Sequence, residues 1–153
     1  FEAQAPIALE AAAAPVPHEA AVEALGNLDD GELLAAPSHT SEGPITLNLA
    51  PLIRTLLARR AAGTPLSELA AGFHDAFAGA WAELIINFVH RTDSSCIVLS
   101  GGVCCNERLT AALARRCGDA GLRVLRHRQV PPNDGGLSYG QAAVAAARWA
   151  QRR

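Results

Sequence analysis

Residues 96–136 read CIVLSGGVCCNERLTAALARRCGDAGLRVLRHRQVPPNDGG, and this stretch decides the fold. Its apolar run Cys96-Ile97-Val98-Leu99 is bounded by Ser94-Ser95 and Ser100-Gly101-Gly102, the pattern of a short buried strand. A helical pattern follows, with Leu109, Ala112, Leu113 and Cys117 at spacings of three and four. Gly118 and Gly121 are stop signals for it. A second short strand begins near Arg123 and ends near Leu125. The loop Val130-Pro131-Pro132-Asn133-Asp134-Gly135-Gly136 then leads into a last helix, Leu137 to about Arg152. Strand, glycine turn, helix, strand, glycine-rich loop and helix make a βαβ unit, which implies a parallel strand pair and an α/β fold.

Such units bind ligands where strands end and helices begin, because free N–H groups and helix dipoles gather there. Both glycine-bearing loops fall at that edge. Gly101 and Gly102 carry no Cβ, so a flat ligand such as a nucleoside can lie close to the backbone. The amide of Asn106 can cap the following helix or reach a ligand. Asp134 has three uses open to it: N-cap, turn former, or hard oxygen ligand for a metal ion.

Ser100-Gly101-Gly102-Val103-x-x-Asn106, with Pro131-Pro132-Asn133-Asp134-Gly135-Gly136-Leu137-x-x-Gly140-Gln141, resembles the C-terminal part of the HypF-type carbamoyltransferases of hydrogenase maturation. These belong to the wider Kae1/TsaD-like group with the actin-like ATPase (ASKHA, ribonuclease H-like) fold. Phe1-Glu2-Ala3-Gln4-Ala5 and Phe73-His74 also resemble this family, so the likeness spans most of the chain. The Gly-Gly-Val-x-x-Asn pattern is shared across the wider group, and Pro-Pro-Asn-Asp-Gly-Gly points to the HypF branch. Cys104-Cys105 departs from it, standing where the family usually has an aromatic residue and a Gln.

The resemblance implies the second lobe of an actin-like ATPase, present as a C-terminal fragment. Gly101, Gly102 and Asn106 would face the nucleotide and Asp134 a divalent metal ion, while the family's His-x-x-x-His pair and most phosphate contacts would lie in missing N-terminal domains. The implied reaction uses carbamoyl adenylate, made from carbamoyl phosphate and ATP, to carbamoylate the C-terminal cysteine of a HypE-type partner. That acceptor thiol belongs to the partner, so neither Cys104 nor Cys105 is assigned as nucleophile, and no catalytic residue is named.

The rest of the chain adds limits. Its 153 residues can hold one ordinary core, and the net charge of −2 suggests neither a nucleic-acid nor a membrane surface. No apolar stretch has the length of a membrane span and no signal peptide is visible, so a cytoplasmic location is expected. The first residue is Phe, as expected of a piece of a longer product. The four cysteines lack the spacing of a zinc site and read as free thiols of a reducing compartment. Arginines 115, 116, 123, 126, 128, 148, 152 and 153 read as a solvated face.

Residues 1–43 read as an N-terminal helix, Glu2 to Ala14, followed by an irregular linker or insertion with about one helical turn over Glu19–Leu25. Residues 44–153 form the C-terminal lobe. Within it Ile45 to Leu49 alternates like a strand, and a helix opens at Pro51. The strongest helix begins after Thr64, with Leu66, Leu69, Ala70, Phe73, Phe77, Trp81, Leu84, Ile85 and Phe88 as a stripe expected to pack on a sheet, its aromatics in the core. His74 beside it reads as a packed, hydrogen-bonded histidine. Other readings remain: a kinase of the same superfold, disfavoured by the Pro-Pro-Asn-Asp-Gly-Gly loop, and a dinucleotide binder, whose Gly-x-Gly-x-x-Gly is not met. A truncated remnant or binding module without catalysis is the reading from another class.

Overall fold

A computed structural model of the chain describes residues 4–26, 47–92 and 94–151. Six α-helices and two strands are present among them: α1 (Gln4–Ala13), α2 (His18–Leu25), α3 (Ala50–Ala61), α4 (Leu66–Val89), β1 (Cys96–Leu99), α5 (Glu107–Asp119), β2 (Arg123–Arg126) and α6 (Leu137–Ala150). The strands pair in parallel, with Cys96 opposite Arg123 and Leu99 opposite Arg126. The expected βαβ unit is therefore formed, in an α/β chain. Of the strand expected over 45–49, residues 45 and 46 lie outside the described residues, as does the expected division at residue 43.

Local signals explain the ends of α5. The Asn106 side chain accepts a hydrogen bond from Leu109 N at 2.9 Å, satisfying one of the helix's free amides. At the other end Gly121 adopts φ +83°, a conformation that costs a residue with a Cβ but not glycine. Gly121 N then donates to Gly118 O and Leu122 N to Cys117 O, closing a Schellman cap. That turn delivers Leu122 into the same apolar cluster as Leu113 and Cys117, so the cap and the core support each other.

The main core lies between α4, α5 and β1. Ala78, Ala82, Val89, Leu99, Leu109, Leu113, Cys117 and Leu122 are buried there, with Phe77, Ile85 and Ile97 packed around them. Each fully buried leucine removes enough apolar surface from water to contribute about 2 kcal/mol. A second cluster joins Leu25, Leu52, Ala76 and Ala80, and a third joins Ala13, Ala21, Ala70 and Ala71.

These clusters correct two sequence expectations. First, α4 packs against α1, α2, α3 and α5 along much of its length and meets the sheet in the core it shares with β1. Its buried residues are mostly small, Ala70, Ala71, Gly72, Ala76, Ala78, Gly79, Ala80 and Ala82, with Leu69, His74, Asp75 and Val89. Small residues let α2 approach so closely that a Cβ on Gly72 would stand 2.7 Å from Leu25 Cγ and 2.9 Å from Ala21 O. The aromatics are less buried than expected: Phe73 and Phe77 stack on each other at the edges of the clusters, Trp81 meets Phe77 edge-on, and Phe88 remains 60% exposed. Second, β1 is not buried on both faces, since Val98 is 65% exposed.

The single turn expected near Glu19 is a two-turn helix, α2, docked on α4. Polar links fasten this end. Arg108 Nη1 donates to Ala13 O and Val16 O, the last carbonyls of the α1 segment, while its Nη2 meets Asp75 at 3.0 Å. His18 of α2 reaches the same Asp75 oxygen at 2.8 Å. Glu10 of α1 accepts from Glu107 N at 2.7 Å, capping the start of α5 from outside. By contrast α6 has no buried residue and packs mainly on the loop before it; Leu137, Tyr139, Val144 and Trp149 are all exposed. No helix among the described residues is long and apolar enough to cross a membrane.

Candidate functional site

The C-terminal ends of β1 and β2 meet the two glycine loops, and the loops are bonded to one another. Gly101 N donates to Pro132 O at 2.9 Å. Gly101 has φ +94°, so the left-handed conformation of this turn falls on the first glycine; Gly102 has an ordinary φ and starts a 3-10 turn, Gly102–Cys105. At neither glycine does a built Cβ meet any atom within 4 Å. The space over both is open, as a planar ligand on the backbone requires.

The Asn106 side chain is held by two partners, one of which is itself fixed by a third group. Its Oδ1 takes the Leu109 amide, and its Nδ2 lies 2.9 Å from His74 Nε2. His74 Nδ1 in turn lies 2.7 Å from Ala70 O, which only accepts. Nδ1 therefore carries the hydrogen, Nε2 accepts from the Asn106 amide, and this neutral tautomer fixes which way the amide faces. His74 is buried and bonded at both nitrogens, as expected of a packed histidine. Asn106 keeps a second lone pair and a second N–H for a ligand. Replacing His74 with Leu leaves the Asn106 amide short of its partner, and the expected cost is about 1–3 kcal/mol of stability, read from urea unfolding midpoints. An unchanged midpoint would show that the amide contact contributes nothing.

Asp134 opens a second 3-10 turn, Asp134–Gly136, and is exposed. The capping bond here is made by its neighbour: Asn133 Oδ1 accepts from Gly135 N at 3.0 Å. Asp134 itself has no side-chain bond among the described residues, so its carboxylate is free for a ligand. A divalent cation needs several oxygen or nitrogen donors in a fixed array. No group of three or more His, Cys, Asp or Glu residues suited to a metal ion occurs among the described residues. Asp134 offers one oxygen donor, and the described residues around it do not make such an array.

Below the loops lies a cleft of about 310 Å³, lined by Leu99, Cys104, Glu107, Thr110, Arg126 and His127 among others. Arg126 and Glu107 form a two-pronged ion pair at 2.8 and 2.9 Å. Cys104 Sγ donates to Ser100 O at 3.2 Å. Burial, more than the nearby charges, raises the Cys104 pKa above that of a free thiol. It is a thiol at neutral pH, consistent with no nucleophilic role. All four cysteines are free.

Sequence reasoning missed the pair at the mouth of this cleft, Ser100 Oγ and His127 Nε2, 2.9 Å apart. A signal was available. The parallel register places Leu99 opposite Arg126, so one step onward sets Ser100 opposite His127. The arginine surface is as expected in part: Arg115, Arg123, Arg126, Arg128 and Arg148 are exposed, with Arg116 half-buried.

Residues 1–141 match the family described as carbamoyltransferase, Kae1-like domain, second subdomain. The chain belongs to the HypF family. It is 39% identical over 103 residues to carbamoyltransferase HypF2 of Cupriavidus necator, a match covering 67% of this chain and 12% of that protein. It is 30% identical over 141 residues to carbamoyltransferase HypF of Synechocystis, covering 92% of this chain and 16% of that one. The chain thus spans less than a fifth of the length of these HypF relatives. Among solved structures, full-length HypF in its phosphate- and nucleotide-bound form superposes with a TM-score of 0.62 at 26% identity, covering 85% of this chain and 17% of that one. The structure of T. kodakarensis HypF gives a TM-score of 0.56 and shares the fold, that of the second subdomain of the Kae1-like domain.

Proposed function

We propose that this chain supplies one wall of the nucleotide cleft in a HypF-type carbamoyltransferase, which passes the carbamoyl group of carbamoyl adenylate to the C-terminal cysteine of a HypE-type acceptor. The observation that carries the reading is the bonded pair of glycine loops, open above Gly101 and Gly102, in a HypF chain whose solved relative binds nucleotide and phosphate. Gly101 and Gly102 face the nucleoside, and Asn106, aimed by His74, lies beside it. Asp134 is one ligand of a divalent ion whose other ligands lie outside the described residues. When bound, that ion would polarise phosphate and carbonyl oxygens.

The chain's own contribution is positional. The Gly101–Pro132 bond sets the distance between the turn that meets the nucleoside and the loop that carries Asp134. Fixing two ligand parts on one rigid edge lowers the entropy cost of holding them in reacting geometry. The test is to supply the complete HypF-type protein containing this segment with carbamoyl phosphate, ATP and the acceptor. The acceptor's terminal cysteine is expected to gain one carbamoyl group by mass. Adenylate turnover with an unmodified acceptor would defeat the reading in favour of a binding module that does not transfer.

A further inference from the structure

The Ser100–His127 pair is used by nothing described so far. It stands one register step beyond the strand pair, so both residues are positioned by the sheet rather than by loose loop. Its hydroxyl–imidazole distance of 2.9 Å is that of a made hydrogen bond. A hydroxyl can donate or accept, and this allows His127 to hold its hydrogen on Nε2 and give it to Ser100 Oγ. Nδ1 then keeps its lone pair. Nδ1 makes no hydrogen bond to the described residues, and His127 is exposed at the cleft mouth. The result is an oriented, available base at the edge where the proposed nucleotide would lie.

We propose that the cleft beneath the glycine loops admits the thiol-bearing end of the acceptor, and that His127 Nδ1 takes the thiol proton, with Ser100 positioning the imidazole. The inference deepens the carbamoyl-transfer reading and rests on it. The S–H bond breaks, its proton moves to Nδ1, and the electron pair stays on sulfur. The thiolate then bonds to the carbamoyl carbon. The bond from that carbon to the adenylate's phosphate oxygen breaks, and the oxygen leaves with the pair as AMP. His127 returns its proton to water. No oxidant or reductant is needed.

The chemistry of the cleft suits a thiol acceptor. A thiol with a pKa near 8.5 is mostly un-ionised at neutral pH, so a base beside it raises the thiolate fraction where it is needed. An imidazole lone pair held at the cleft mouth suits that task. The charged and titratable groups that line the cleft with His127 are Arg126 on β2, Glu107 on α5, and Cys104 and Cys105 in the turn between β1 and α5. Arg126 is paired with Glu107, so neither adds a lone charge beside the imidazole.

The experiment compares wild type, His127→Gln and Ser100→Ala in the complete HypF-type protein. Transfer to the acceptor is followed from about pH 6 to 9, with adenylate formation measured in parallel. His127→Gln is expected to lose about 10–100-fold in transfer near pH 7 with adenylate formation unchanged. The deficit shrinks toward pH 9, where the thiol ionises without help. Ser100→Ala loses a few-fold, because its histidine is free to turn and to take the other tautomer. A loss that is the same at every pH, or no loss, overturns the inference while wild-type transfer upholds the reading beneath it. A wild type that forms adenylate but never modifies the acceptor defeats that reading, and the inference with it. A carbamoyl group on Cys105 in place of the acceptor also overturns it.

Discussion

Asp75→Ala is expected to lower stability by about 2–3 kcal/mol, the largest effect of any single change outside the apolar core. The carboxylate is only 9% exposed and answers two partners, the Arg108 guanidinium at 3.0 Å and the His18 imidazole at 2.8 Å. Removing it leaves the Arg108 guanidinium, itself 16% exposed, facing two neutral carbonyls. Stranding one member of a buried ion pair costs about 3–5 kcal/mol, and the residual exposure of Arg108 places this case at or below the lower end. The loss falls on the docking of α1 and α2, so helix content and the urea midpoint drop together. Arg108→Leu in the Asp75→Ala background removes the stranded charge and is expected to recover part of the loss. Additive single-site effects in that cycle would show that the two groups do not interact.

Gly102→Val is expected to abolish measurable ATP binding in the complete protein while leaving the fold intact. The backbone of Gly102 lies in a region valine can occupy, and no atom approaches its built Cβ within 4 Å. The fold therefore tolerates the side chain. A ligand lying on that backbone does not, because two methyl groups would fill the space it needs. Gly101→Val differs, since φ +94° is strained for any residue with a Cβ. It should lose stability by about 1–3 kcal/mol as well as affinity. Calorimetric ATP titration with circular dichroism separates the two. Wild-type affinity in folded Gly102→Val would place the nucleotide elsewhere.

What was legible in the sequence was local. Asn106 as cap and Gly121 as stop follow from residues within one turn of each other, where backbone physics dominates, and the parallel pair follows from the order of short elements over 96–126. The overstated burial of α4's aromatics came from the same method applied where two stripes compete. Aromatics and small residues both recur at helical spacing along 66–89, and which side is buried depends on α1 and α2, not on α4. Hydrophobicity favoured the aromatics; close approach of two helices selected alanine and glycine. The Asp75–Arg108–Ala13 link joins residues 33 and 95 apart, and no short-range pattern encodes such pairs. At the site, the glycine edge was visible because glycine marks close backbone approach. Ser100 and His127 were not, since either residue alone is ordinary and only the strand register brings them together.

Helix α6 has a consequence of another kind. None of its residues is buried, so its helicity rests largely on intrinsic propensity. Its sequence, LSYGQAAVAAARWA, is rich in the best helix former, and the one glycine lies in its first turn. Fourteen residues are about the length at which even an alanine-rich helix is marginal in water. Far-ultraviolet circular dichroism is expected to show a gradual loss of helix from α6 ahead of the cooperative melting of the packed body. The alanines of α6 keep the helix formed part of the time without a neighbour, which reduces the ordering cost when a surface does cover it.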